Sequence, residues 1–228
     1  MKTLFLLATV AQMMLASCNL STDGGQNTID PDSVMLRKPI SNISIKSICG
    51  EWFSSFKQSN LGLNFGSDMH FTSTVNGMTE TKGDWRLIET DSIQFSSITN
   101  DAGEVAASQT FKIRGISDSV FVIQSRGASA NEIYFKGDIS KVAAQDYFSG
   151  DIDGEKTILI SVGADVKTHI AIAANKARVK FQLLDGGDNA IGDENTDWVG
   201  TLASGDYKIK ITSQQATKFD IAIAQVRE

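Results

Sequence analysis

Apolar and polar positions alternate with a period of two through most of this chain. Met69, Phe71 and Val75 share one parity, with His70, Thr72 and Thr74 on the other. Ile93 and Phe95 alternate with Ser92, Gln94 and Ser96; Phe111 and Ile113 with Lys112 and Arg114; Ile133 and Phe135 with Glu132, Tyr134 and Lys136. Successive side chains of a strand point to opposite faces, so this pattern predicts half-buried antiparallel strands. Val120 to Ile123 is an unbroken apolar run, which predicts a strand covered on both faces. Turn signals separate these stretches at Asn76-Gly77, Lys82-Gly83-Asp84, Asn100 to Gly103, Ser117-Asp118 and Gly127. Short strands at this spacing predict a meander that closes into an antiparallel barrel or half-barrel over residues 44–140.

The alternation is cleaner after residue 141. Tyr147 to Ile152 reads as a strand, then Ile158, Ile160 and Val162 as another. Val166, Thr168, Ile170 and Ile172 share a face, as do Val179, Phe181 and Leu183. Tyr207, Ile209 and Ile211 alternate, and Phe219, Ile221 and Ile223 close the chain. This predicts a second domain, residues 141–228, built as an antiparallel β-sandwich. The fold class is therefore all-β, a barrel followed by a sandwich.

The N-terminus breaks the pattern. Lys2 precedes an apolar run from Leu4 to Leu15, and small Ala16 and Ser17 precede Cys18. The run is too short to span a bilayer and reads as a signal peptide over residues 1–17. Leu15-Ala16-Ser17-Cys18 resembles the lipobox of bacterial lipoproteins. The resemblance implies a diacylglycerol on the Cys18 thiol and a further acyl chain, such as palmitate, on its amine. Several chains at about 0.8 kcal/mol per buried CH₂ make a stable membrane anchor. Asn19 in place of Asp at the next position implies the outer membrane of a Gram-negative cell. Residues 18–43 are polar, aperiodic and unable to bury an apolar face, which predicts a flexible tether.

Charge and cysteine usage narrow the partners. The net charge is −6, and loss of Lys2 with the leader makes it one unit more negative. An acidic body argues against nucleic acid and suits a basic protein partner. Cys18 and Cys49 are the only cysteines. With Cys18 committed to lipid, Cys49 is a lone thiol, and a disulfide framework is excluded.

Two resemblances extend this reading. Gly50-Glu51-Trp52, Leu63-Asn64-Phe65, Gly83-Asp84-Trp85, Asp91-Ser92-Ile93 and Phe111-Lys112-Ile113 form an ordered series similar to the lipocalin-like domains of bacterial lipoproteins. That likeness implies that Trp52 lies across the closed end of the barrel. It also makes Trp52, Phe71, Trp85 and Phe95 candidates to line an apolar ligand site. Phe65, Phe111, Phe121 and Phe135 are expected inward as well, and eight aromatics fill a short barrel rather than line it. In the second domain, Ser149-Gly150-Asp151-Ile152, Gly163-Ala164-Asp165 and Leu202-Ala203-Ser204-Gly205-Asp206-Tyr207 resemble pre-peptidase C-terminal sandwiches. Periplasmic inhibitors of goose-type lysozyme are similar in the same motifs.

Chemistry is sparse. Gly127-Ala128-Ser129-Ala130-Asn131 begins like a nucleophile elbow but has Asn131 where the second Gly belongs. His70 and His169 fall in different domains, which disfavours a zinc site or a triad with Cys49. Asp185, Asp188, Asp193, Glu194 and Asp197 crowd one loop that holds no basic residue. Calcium binding, recognition of a basic partner and a plain solvated hairpin all fit that loop. The expectation is a non-enzymatic envelope lipoprotein without cofactor or metal that binds a protein, in its sharpest form inhibiting a lysozyme. The alternatives are a lipocalin-like carrier of a small apolar ligand and a structural surface lipoprotein.

Overall fold

The computed structural model describes residues 43–54, 60–163, 166–175 and 178–227. The leader, Cys18 and the tether up to residue 42 lie outside them. No helix among the described residues is long and apolar enough to cross a membrane.

A single helical turn, α1 (Ile45–Ile48), opens the fold; the Ser44 hydroxyl accepts the Ser47 N–H and so caps it. Nine strands follow: β1 (Gly50–Ser54), β2 (Leu61–Phe65), β3 (His70–Val75), β4 (Met78–Ile88), β5 (Ser92–Asn100), β6 (Val105–Ala106), β7 (Gln109–Ile116), β8 (Val120–Ser125) and β9 (Glu132–Lys136). Each pairs antiparallel with its neighbour. β9 returns to β1, and β7 pairs with β5, which also holds β4, so the meander closes into an eight-stranded barrel. β6 is a two-residue flange on β5. Gly83 sits at a register shift between β4 and β5. A Cβ there would lie 2.6 Å from the Ser96 carbonyl oxygen, so only glycine lets these strands approach so closely.

Aromatic rings fill the barrel. Trp52, Phe65, Phe71, Trp85, Phe95, Phe111, Phe121 and Tyr134 belong to one buried cluster, none more than 6% exposed. Many of them meet edge to face, as Phe71 does Phe95 at 4.8 Å and Phe65 does Trp85 at 5.3 Å. Trp52 lies under α1, where β1 begins, and its indole N–H donates to the Ile48 carbonyl at 2.7 Å. Ile48 is fully buried in the same cluster, so α1 covers this end of the barrel.

One expectation is reversed. Phe135 points out of the barrel with Ile133, and Tyr134 takes the inward place. Val120, Val122 and Phe53 also point out. Alternation shows that a strand has an apolar face but not which side of a barrel that face is on. Here the second antiparallel sheet covers the outside. The two covered faces expected of β8 are present: Phe121 and Ile123 inward, Val120 and Val122 outward.

A 3₁₀ turn (Ile139–Lys141), capped by the Asp138 carboxylate, leads into the second sheet. Its strands are β10 (Val142–Val162), β11 (Val166–Ala174), β12 (Val179–Leu184), β13 (Asp197–Leu202) and β14 (Gly205–Val226). The sequence pattern splits β10 and β14 into two strands each. Both are continuous: β10 pairs with β14 along its whole length, and β14 exchanges its other neighbour halfway. β10 bends at a register shift between Ile152 and Gly154, with Gly154 at φ +84°. Gly205 to Ser213 of β14 runs between β10 and β12, whereas Thr217 to Val226 runs between β10 and β11, which carries β13. Residues of both halves share one core, including Phe181, Ile209 and Ile211 from the first and Ile170, Phe219 and Ile221 from the second. The single hydrogen-bonded sheet thus folds over into two layers.

The second layer is buried on both faces. Ile170, Ile172, Ile221 and Ile223 point into the sandwich, while Ala171, Ala173, Ala222 and Ala224 point at the barrel. These four alanines meet Phe53, Val120, Val122, Ile133 and Phe135 in one apolar cluster. Small side chains on one sheet leave room for large ones on the other.

Candidate binding face and buried interface

The core-facing register of the first layer dictates what its opposite face presents. Ile158, Ile209 and Leu183 are cross-strand neighbours that point inward. Their chain neighbours therefore point to solvent. One outer row is Thr157–Lys210–Gln182 and the next is Leu159–Lys208–Leu184. With Glu155, Asp188 and Glu194 they line an open groove of about 740 Å³. Lys208 pairs with Asp188 at 2.6 Å and Lys210 with Glu155 at 2.9 Å. Both pairs are solvent-exposed and contribute little stability. They do occupy the two ammonium groups, so the groove holds three carboxylates against two paired lysines. Leu159 is 72% exposed at its edge.

The five loop carboxylates go to different places. Asp185 organises its own turn: its Oδ1 accepts the Gly187 and Asn189 backbone N–H groups at 2.9 and 2.8 Å. Hydrogen bonds from the Asn189 side chain, then from its backbone, hold the Asp185 carboxyl below the usual carboxylate range. Asp188, at the tip with φ +65°, and exposed Glu194 rim the groove. Asp193 is exposed. Asp197 accepts the Ser117 hydroxyl at 3.1 Å and so ties the loop to the β7–β8 turn of the barrel. Among the described residues, no three His, Cys, Asp or Glu side chains come together as a metal site. Gln182 donates to the Gly192 carbonyl at 2.7 Å and holds the loop against β12. Trp198 packs half-buried on the sandwich core.

The other candidates are placed as follows. Trp52, Phe71, Trp85 and Phe95 are all in the filled barrel core. His70 is exposed, its Nδ1 2.8 Å from Asp84. The Asp84 carboxyl is held low by the Ser97 hydroxyl and then by His70. Cys49 is half-buried against the barrel core. The elbow-like segment is the β8–β9 turn, and Asn131 is fully buried in it.

That burial reveals a site the sequence pattern does not show. Asp220 of β14 is buried at the barrel–sandwich interface. Its Oδ2 accepts the Asn131 backbone N–H at 2.8 Å and the Asn131 amide at 2.9 Å, and its Oδ1 accepts the Tyr147 hydroxyl at 2.7 Å. Asn175 joins this network: its Oδ1 accepts from Asn131 and Gln124, and its amide donates to the Ser129 carbonyl. Burial and the Asp220 charge push the Tyr147 hydroxyl far above the usual phenol range. The signal in the sequence is an acid inside an apolar strand, Phe219-Asp220-Ile221.

His169 is the second interface group. It is 5% exposed, with the Phe135 ring at 5.4 Å and the Phe53 ring at 6.2 Å. Its buried Nδ1 has no hydrogen-bond partner among the described residues. Burial, then the nearby Lys167 charge, push its pKa down to about 4. The unfolded chain takes up a proton on this imidazole near pH 6.5, whereas the folded chain does so only near 4. Stability is therefore full above about pH 6.5 and falls as the pH drops towards 4, by up to ~1.4 kcal/mol per unit. Urea midpoints at pH 7.5 and 5.0 test this. His169→Phe should lose less stability than the parent between the two; equal losses would refute the assignment.

No protein-family model matches this chain, and no curated protein matches it by sequence. Among solved structures, it is similar to PliG, a periplasmic inhibitor of g-type lysozyme from Aeromonas hydrophila. Identity is 21%, the match spans 36% of this chain and 85% of that one, and the TM-score is 0.31. The Yersinia pseudotuberculosis-derived mitogen matches at 18% identity over 37% of this chain and 87% of its own, with a TM-score of 0.28. An exo-β-1,3-galactanase from Phanerochaete chrysosporium matches at 9% identity over 77% of this chain and 68% of its own, with a TM-score of 0.27.

Proposed function

We propose that this chain is a non-enzymatic, outer-membrane-anchored lipoprotein that binds a basic protein through the outer face of β10, β14 and β12. The observation that carries this reading is the open groove of about 740 Å³, whose two lysines are already paired and whose rim is acidic. Opposite potentials steer encounter and fix register. The carrier reading lacks comparable support, because the barrel interior is occupied by its own rings. Anchorage rests on the lipobox-like Leu15-Ala16-Ser17-Cys18. The sharpest form of the reading is inhibition of a goose-type lysozyme. It rests on the motif resemblance from Ser149 to Tyr207 and on the basic character typical of lysozymes.

The test uses the chain from residue 19 onward, which retains every buried core found among the described residues. Micromolar protein is expected to slow cell-wall lysis by a goose-type lysozyme. The double variant Asp193→Lys, Glu194→Lys changes two exposed loop carboxylates and should weaken inhibition about tenfold or more. Unchanged lysis with the parent chain would remove the lysozyme assignment. Inhibition that ignores the double variant would remove the acidic loop from the binding face.

A further inference from the structure

The second half of β10 is an open edge. From Gly154 to Val162 it pairs with β14, and among the described residues no strand pairs with its other side. Natural sheets protect such edges with charges, proline or bulges. The first part follows that rule. The Asp153 bulge precedes it, and Lys156 turns inward with its ammonium 5.5 Å from the Phe219 ring. Beyond it, Thr157-Ile158-Leu159-Ile160-Ser161-Val162 carries no charge and no proline. Leu159, in the middle, is 72% exposed.

We propose that this edge pairs with the same edge of a second copy of the chain, antiparallel, about a two-fold axis at Leu159. Complementarity selects that occupant and that register. With the axis at Leu159, Leu159 faces Leu159 of the second copy, Thr157 faces Ser161 and Ile158 faces Ile160. Apolar meets apolar at Leu159–Leu159 and Ile158–Ile160, a combination that stabilises cross-strand pairs, while the Ser161 hydroxyl opposite Thr157 stays on Asp206 of its own chain at 2.6 Å. Lys156 falls opposite Val162 and Glu155 opposite Gly163, so no like charges meet. Moving the axis to Ile158 sets Lys156 against Ile160 and Leu159 against Thr157. Moving it to Ile160 sets Leu159 against Ser161. Each alternative sets Leu159 against a hydroxyl side chain and so breaks the apolar match. The contact is isologous and closes at two copies. Its consequence is a shared binding face: β12, β14 and β10 continue across the axis into their second-copy counterparts, joining two grooves.

An added strand pair is at the small end of specific interfaces, so the dimer is weak and concentration-dependent. Sedimentation velocity on the chain from residue 19, which retains Cys49 and lacks Cys18, should show a monomer–dimer equilibrium. Leu159→Lys alters an exposed side chain only and should raise the dissociation constant about tenfold or more. The register is read by crosslinking. Under mild oxidation Leu159→Cys should give a covalent dimer, and Thr157→Cys should not, while Thr157→Cys mixed with Ser161→Cys should give the mixed dimer. A monomer at every concentration, a dimer unaffected by Leu159→Lys, or equal crosslinking at 157 and 159 would each overturn the proposal. None of these outcomes depends on lysozyme, so failure here leaves the binding assay unaffected, and the reverse.

Discussion

Asp220→Ala is expected to destabilise the protein by about 4 kcal/mol and to uncouple its two domains. The carboxyl accepts three hydrogen bonds at a buried interface, two from Asn131 and one from Tyr147. Removing it strands the two Asn131 donors away from water, at about 1–3 kcal/mol for each left unsatisfied, while the Tyr147 hydroxyl loses its stronger acceptor and keeps the Asn131 carbonyl at 3.0 Å. The donors come from the β8–β9 turn of the barrel and from β10, and the acceptor from β14. The loss therefore falls on the contact between domains. Urea unfolding followed by near-UV dichroism and by tryptophan emission should pass from one shared transition to two. Tyr147→Phe leaves both Asn131 bonds in place and should cost only about 1–2 kcal/mol. A single unshifted transition for Asp220→Ala would show that the apolar cluster alone holds the domains together.

Trp52→Ala should be comparably severe, at about 3–5 kcal/mol, but confined to the barrel. The indole is 1% exposed, packs on Phe121 at 5.5 Å and donates to the Ile48 carbonyl. Truncation opens a cavity under α1 and releases the carbonyl that the indole held. Trp52→Phe keeps most of the volume and loses only the hydrogen bond, so its cost should be about 1–2 kcal/mol. Hydrogen exchange should report early opening of α1 and the start of β1 in the alanine variant, with β11 and β14 protected as before. Uniform deprotection of both domains would contradict this placement of Trp52.

The all-β class was legible because alternation depends on nothing beyond the pleat of a strand. Phe71, Phe95 and Phe111 point inward as their patterns require. Phe135 does not, and the reason is general. A strand between two hydrophobic environments needs two apolar faces, and β9 achieves this with Tyr134 inward and Phe135 outward. Phenylalanine looks the more buried of the two in a sequence, and the tyrosine reaches the core by donating its hydroxyl to Glu132 at 2.9 Å. The domain interface was hidden for a related reason. Ala171, Ala173, Ala222 and Ala224 are weakly hydrophobic, so they read as the quiet side of half-exposed strands. The bend in β10 and the partner change in β14 were invisible because they fall at Asp153-Gly154 and Gln214-Gln215, which look like ordinary loops. The acidic loop stood out by charge alone, but the split of its carboxylates between turn, groove and barrel needs the register of β12.

The position of β14 after all of its partners in chain order has a consequence for how the protein is made. β14 is the hydrogen-bonding partner of β10, β11 and β12, and its Asp220, Ala222 and Ala224 complete the contact with the barrel. A polypeptide emerging from a ribosome or export channel delivers this strand after every strand it pairs with, when the barrel can already have closed. Until then the barrel presents Phe53, Val120, Val122, Ile133 and Phe135 uncovered to its surroundings, and β10 has no neighbour along its whole length. The nascent protein thus passes through a stage with an adhesive flank and an unpaired strand of 21 residues. Loss of β14 would fix it in that state.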